Sequence, residues 1–236
     1  RMCESRWSFR GMQVAESNVI PDLPGVLFIV ASPSGGGKTT LVREAIGGLA
    51  ERGVSAHFSV SHTTRTRRPA ETDGVDYHFV DRATFQRMVE QGAFLEWAEY
   101  NDNLYGTARS EVEPRLAAGE DVFLDIEVQG ASQVKTLIPD VVKIFVYPPS
   151  YEVLKARLMQ RRQDPPDAIR RRLRWAMREF SAAGEFDYAI INDRLEEAVE
   201  QLLGICIAEH QRPAKMKSRL DAIREAYQAA LKKDSP

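Results

Sequence analysis

Val26-Leu27-Phe28-Ile29-Val30-Ala31 runs directly into Ser32-Pro33-Ser34-Gly35-Gly36-Gly37-Lys38-Thr39-Thr40, and this join sets the architecture of the chain. The first six residues form a short, continuous apolar run after Pro24 and Gly25, the pattern of a strand buried on both faces of a parallel sheet. From Thr39 to Ala50, Leu41, Val42, Ala45, Ile46 and Leu49 recur at helical spacing, and Gly53 is a natural stop. A loop between such a strand and helix can aim backbone N–H groups at phosphate oxygens only if side chains do not intrude, which three consecutive glycines ensure. Ser34, Gly35, Gly36, Gly37 and Thr40 would line that cradle. Lys38 would carry positive charge to the β and γ phosphates, and the Thr39 hydroxyl is placed to ligate Mg²⁺. Ser32 stands where the usual motif has its first glycine.

Further short apolar runs follow at Val122–Ile126, Val141–Tyr147 and Tyr188–Ile191, alternating with helical patterns such as Tyr151–Gln160. The expectation is an α/β fold: a parallel sheet with helices on both faces. Asp125 ends one of these runs, where a phosphate-loop protein commonly places an acid near the metal, and is the candidate to orient Mg²⁺, its waters or the acceptor. Residues 59–107 change character, becoming rich in Ser, Thr, Arg, Tyr and Asp with alternating segments at Asp76–Val80 and Phe94–Tyr100, which reads as a small inserted β-rich lobe. Gln160–Arg174, with Pro165 and Pro166 amid charge, reads as a mobile lid opening into a helix. Asn192 or Asp193 is positioned to cap the next helix. Pro213 then divides it from a last helix with Met216, Leu220, Ile223, Tyr227 and Leu231 on one face, to pack on the core or on another subunit.

The expected organisation is therefore an N-terminal extension over 1–19, a core of 20–58 and 108–212 carrying the lobe and a lid at about 160–174, and a C-terminal helical extension over 213–236. The 236 residues are nearly charge-balanced, with a formal net charge of -2, so nothing global points to nucleic acid or a membrane. Local charge is more telling: Arg65, Arg67 and Arg68 form one basic run, and Arg170, Arg171, Arg172 and Arg174 another. Cys3 and Cys206 are too few for a disulfide framework or a zinc site, so a cytoplasmic setting is expected. The longest apolar stretches are far shorter than a membrane span.

Ser59-Val60-Ser61-His62-Thr63-Thr64-Arg65-Thr66-Arg67-Arg68, Gly74-Val75-Asp76-Tyr77-His78-Phe79-Val80, Phe94-Leu95-Glu96-Trp97-Ala98 and Asn103-Leu104-Tyr105-Gly106-Thr107 together resemble the guanylate kinase family, from about Val26 to the helix after Asn192. The resemblance implies a P-loop nucleoside monophosphate kinase whose core, GMP-binding lobe and lid close over ATP and GMP, with Mg²⁺ accompanying the donor. It implies that Arg65, Arg68, Tyr77 and Tyr105 hold the GMP phosphate, while Ser61, Glu96 and Thr107 contact guanine, with Gly106 and Asp125 beside them. It implies donor-side roles for Arg157, Arg161 and Arg172, and a contact to the adenine side for Asn192.

The residue chemistry agrees with that transfer. Guanine presents a ring N–H and an exocyclic amine side by side as donors, so one carboxylate such as Glu96 can accept both, and Ser61 or Thr107 can donate to the carbonyl. Adenine reverses that pattern. Arginine forks match phosphate oxygens, and tyrosine hydroxyls add uncharged donors. Two other readings share these features: an inactive guanylate-kinase-like module that binds protein partners, and a kinase of the same fold acting on another phosphorylated acceptor. Three departures from the family pattern accompany Ser32: Arg67 replaces a Pro, Ala70 a Gly before Glu71, and Arg162 the Gly after Arg161.

Overall fold

The computed structural model of the chain describes residues 25–100, 102–160 and 166–233. The opening join folds as strand β1 (Leu27–Ala31), the glycine loop and helix α1 (Lys38–Glu51), and β2 (Ala56–Phe58) follows. Gly53, at φ 75°, turns the chain out of α1 in the left-handed conformation that glycine accepts most readily. Next comes a run of smaller elements: β3 (His62–Thr63), β4 (His78–Phe79), α2 (Arg82–Glu90), β5 (Phe94–Tyr100) and β6 (Asn103–Ala108). The chain then returns through α3 (Arg109–Ala117), β7 (Asp121–Asp125), α4 (Val128–Leu137), β8 (Val142–Tyr147) and α5 (Tyr151–Gln160). It ends with α6 (Pro166–Ala182), β9 (Tyr188–Ile191), α7 (Leu195–His210) and α8 (Lys217–Lys233).

The first sheet has the order β2-β7-β1-β8-β9, and every pairing in it is parallel. Alternation along β1 divides the core in two. Phe28 and Val30 face Leu41, Val42, Ala45 and Leu49 of α1 and Ala198, Leu202, Leu203 and Cys206 of α7. Leu27 and Ile29 face the other way, onto Val112 and Leu116 of α3 and Ala131, Val134 and Leu137 of α4. Phe28 also stacks on Phe123 at 5.0 Å between ring centroids and is fully buried, so truncating it to Ala would cost about 3–5 kcal/mol. Helices on both faces of a parallel sheet are what the apolar runs called for.

A second sheet, ordered β4-β3-β6-β5, lies in the inserted stretch, with its own small core of Phe85, Phe94, Leu104 and Ala108. It differs from the sequence expectation in two ways. The stretch includes a helix, α2, started by Asp81, whose side chain accepts from the Thr84 N–H. The alternating segment Asp76–Val80 contributes only the two-residue strand β4.

One further expectation is corrected and another is narrowed to one of its two alternatives. Arg194, not Asn192 or Asp193, occupies the N-cap of α7 and makes no side-chain cap bond, since a guanidinium has no acceptor, while the Asn192 amide is engaged with Gly36. On α8, Leu220, Ile223, Tyr227 and Leu231 are 38–71% exposed, so that stripe does not pack on the core. The extension over 1–19, Arg161 and Arg162 lie outside the described residues.

Candidate functional site

β1 and β7 end side by side, and that adjacency brings the glycine loop and Asp125 together. Gly35 and Gly37 sit at φ 91° and 89°, a region that penalises any side chain. The Ser32 hydroxyl fills the space that a Cβ on Gly36 would need, so position 36 is held to glycine. Lys38 opens α1 with its Nζ 3.1 Å from Asp125 Oδ1 and 3.4 Å from the Ser32 carbonyl. Thr39 Oγ1 donates to Asp125 Oδ2 at 3.0 Å. Burial pulls the Lys38 pKa down, but the charge and hydrogen bond of Asp125, with Glu179 and Glu127 further off, outweigh it and carry the net shift upward. Lys38 is therefore a fixed cation.

The helices of the expected lid region reach the same loop. From α5, Arg157 donates to the Gly36 carbonyl (3.4 Å) and the Asn192 carbonyl (3.0 Å). From α6, Arg172 donates to Ser34 Oγ at 3.5 Å. Asn192 is buried, and its Nδ2 donates to the Gly36 carbonyl at 2.9 Å, so it braces the back of the loop.

Across a cleft of about 340 Å³, the loop residues face Ser61, Tyr77, Glu96, Tyr105 and Gly106 of the inserted lobe. Glu96 is buried, and its Oε1 accepts from Thr107 Oγ1 at 2.6 Å. Its Oε2 lies against α4 where a Cβ on Gly130 would come within 2.8 Å. Burial raises the Glu96 pKa to about 7, against the two hydrogen bonds from Thr107. Burial, with Asp125 and Tyr105 nearby, likewise pushes Tyr77 up to about 12, so its hydroxyl stays a neutral donor. Thr107 stands behind Glu96, outside the cleft lining.

Arg65 lies over the rings of Tyr77 and Phe79, at 5.3 and 5.7 Å from their centroids. Glu71 grips its guanidinium through two bonds of 2.7 and 3.0 Å and also accepts from the Arg68 N–H at 2.8 Å. The Arg68 side chain is half exposed, 3.8 Å from Glu71. Arg67 donates to the Glu71 carbonyl, so the residue that departs from the family pattern helps close this loop.

Sequence reasoning missed several groups. Glu127 and Glu179 both line the cleft near Lys38. Burial raises Glu127, and burial together with Glu127 raises Glu179 to about 7. Glu127 was discoverable, since it lies two residues after Asp125 at the same strand end; nothing local marks Glu179. Glu71 as the holder of Arg65, and Gln133, whose amide bonds both backbone groups of Trp97, were also unmarked.

The Thr39 hydroxyl and Asp125 carboxylate offer hard oxygen donors that suit Mg²⁺. Among the described residues no cluster of three or more His, Cys, Asp or Glu side chains could hold a metal. Such an ion would thus draw its other ligands from phosphate oxygens and water, as Mg²⁺ in nucleotide sites does. Among the described residues no helix is long and apolar enough to cross a membrane.

A phosphate loop between β1 and α1, facing a base-sized pocket in an inserted lobe, defines a P-loop enzyme of the nucleoside monophosphate kinase class. The family profile described as "Guanylate kinase" matches residues 25–209, and the chain belongs to the guanylate kinase family. It is 47% identical over 210 residues to a guanylate kinase of Thermus thermophilus, covering 89% of this chain and 90% of that one. It is 46% identical over 197 residues to a guanylate kinase of Aromatoleum aromaticum, covering 84% and 95%. The crystal structure of guanylate kinase from Anaplasma phagocytophilum superposes with a TM-score of 0.67 at 32% identity, covering 81% of this chain and 89% of that one.

Proposed function

We propose that this enzyme transfers the γ phosphoryl group of ATP to the phosphate of GMP, giving ADP and GDP. The observation that carries the reading is the cleft itself, in which Lys38 and the glycine loop face a buried carboxylate, Glu96, that matches guanine. An oxygen of the GMP phosphate attacks the γ phosphorus in line. The bond to the β,γ-bridging oxygen breaks, and its electron pair stays on ADP. The acceptor phosphate is already a nucleophile near neutral pH, so catalysis is positioning and charge neutralisation, without a covalent enzyme intermediate.

In this reading the loop from Ser34 to Thr40 cradles the donor phosphates, and Lys38 follows the β and γ oxygens. The Thr39 hydroxyl would hold Mg²⁺ beside Asp125, and the ion would supply charge neutralisation at the donor phosphates. Arg157, Arg172 and, outside the described residues, Arg161 stabilise the transferring group as the lid closes. Asn192 holds the loop from behind on the adenine side. Glu96 accepts the two guanine donors, held in place by Thr107, while Ser61 donates to the carbonyl. Arg65, Arg68, Tyr77 and Tyr105 bind the acceptor phosphate, with Glu71 fixing the fork of Arg65.

The test is an acceptor panel with ATP and Mg²⁺. GMP should exceed AMP and UMP in kcat/KM by about 10⁴-fold, because the wrong base leaves buried polar groups unpaired. A better rate with AMP, UMP or a sugar phosphate would overturn the reading.

A further inference from the structure

The chain crosses between the first sheet and the inserted lobe twice, from β2 to β3 through Ser59-Val60-Ser61 and from β6 to α3 at Ala108-Arg109. Three of its four histidines gather at these crossings. His57 belongs to β2 on the core side. His62 and His78 are paired neighbours in β3 and β4 on the lobe side, with their rings 4.6 Å apart. Glu111, in the first turn of α3, faces both groups: Oε2 is 3.5 Å from His57 Nε2, and Oε1 is 3.6 Å from His78 Nε2. Among the described residues, the buried side-chain polar atoms without a hydrogen-bond partner are His57 Nε2, Ser59 Oγ and His62 Nδ1. All of them lie in one six-residue stretch spanning the first crossing. Buried groups left unsatisfied are costly, so their concentration marks a junction held in a position that local bonding alone does not favour.

We propose that Glu111, His57, His62 and His78 form a clasp that sets the angle of the lobe against the core and so positions the acceptor wall of the cleft, a role that rests on the acceptor reading above. The coupling is short. The His78 N–H donates to the Ser61 carbonyl at 2.9 Å, and His62 pairs with Gly106. Ser61, Gly106 and Tyr77, which adjoins His78, line the cleft, whereas none of the four clasp side chains does. The four are positioning residues.

Burial, then Arg115, holds His57 below its ordinary pKa against the pull of Glu111 and Glu120. Burial, then His78, does the same for His62 against Glu111 and Asp73. Near pH 7 both rings are neutral and pack at the junction. Acidification charges two half-buried rings, one of them packed against His78, which favours a more hydrated, rotated lobe.

Steady-state kinetics on the full chain test this, with Glu111→Ala and the isosteric Glu111→Gln compared at neutral pH. Glu111→Ala should raise KM for GMP roughly tenfold, with KM for ATP changed by less than about twofold. Glu111→Gln should recover most of the loss. In His57→Gln, the rise in GMP KM between about pH 7.5 and 5.5 should be shallower than in wild type; titration of the GMP phosphate is common to both and cancels. Hydrogen exchange without nucleotide supplies a readout that needs no acceptor: amides of residues 59–61 should exchange faster in Glu111→Ala, those of β1 at the wild-type rate. Parallel pH profiles, unchanged exchange at the crossing, or a lower melting temperature with unaltered GMP KM would each overturn the clasp. Wild-type enzyme that fails to phosphorylate GMP would sink the acceptor reading instead, and the exchange comparison would still decide the clasp.

Discussion

Thr107 Oγ1 stands 2.6 Å from Glu96 Oε1 and donates to it from a fully buried position. The bond occupies one side of the carboxylate, leaving Oε2 beside Gly130 and fixing the plane in which a base could be met. Thr107→Val keeps the shape and removes the donor. It should raise KM for GMP roughly tenfold in steady-state assays, with KM for ATP unmoved.

Glu96 bears on stability as well as on the recognition proposed for it. Its pKa in the folded protein is about 7, against an ordinary value of 4.5, so the folded state binds this proton more tightly than the unfolded one. Stability from this group is therefore present at pH 4.5 and is lost as pH rises to 7. Glu96→Gln removes the ionisation and should stabilise the nucleotide-free protein at pH 8 by about 1–3 kcal/mol while nearly abolishing use of GMP. Urea titrations of both proteins at about pH 5 and pH 8 check the first part, because the gain should shrink at the lower value.

Lys38→Ala should lower kcat by roughly a thousandfold or more while GMP binding stays close to wild type. The substitution leaves Asp125 without its 3.1 Å partner but disturbs no part of the lobe. Rapid-quench measurement of the first turnover, together with calorimetric titration of GMP, would check it; ordinary turnover would contradict the role given to the ammonium group.

Far from the cleft, Asp121 is fully buried, accepts from the Val26 N–H at 2.9 Å and lies 2.8 Å from His210 Nε2. The hydrogen bond and charge of Asp121 raise the pKa of His210. The stabilisation is complete below the unfolded value of 6.5 and fades as pH rises through the raised folded value. Asp121→Asn should cost about 3 kcal/mol or more at pH 6 and flatten the alkaline decline, read as denaturant midpoints across pH 5.5 to 8.5.

What was legible beforehand was what short-range pattern encodes. Val26–Ala31 and the glycines announced strand, turn and helix because backbone conformation and burial there are set within a dozen residues. Phe94–Tyr100 and Tyr151–Gln160 match β5 and α5 residue for residue. α2 went unread although Asp81 and Thr84 carry a cap signal, because only Phe85 in it is fully buried and its apolar face is thin. Asn192 looked like a local cap; its amide instead crosses 156 positions to Gly36, a distance no periodicity spans. Glu127 and Glu179, 52 residues apart in the numbering, share a wall only because α6 packs back onto β8, with Phe180 against Phe145 and Tyr147. Such juxtapositions come from tertiary packing, which leaves no trace in neighbouring residues.

His62 pairs with Gly106 and Thr63 with Tyr105, so the lobe departs from the first sheet and rejoins it along adjacent strands. An insertion whose two ends are already neighbours adds little loop-closure entropy to the rest of the chain and threads nothing. The lobe is thereby attached along a single seam: its length and content can change without disturbing the registry of β1, α1 and the phosphate loop, provided Gly130 and Gln133 of α4 still meet its far wall.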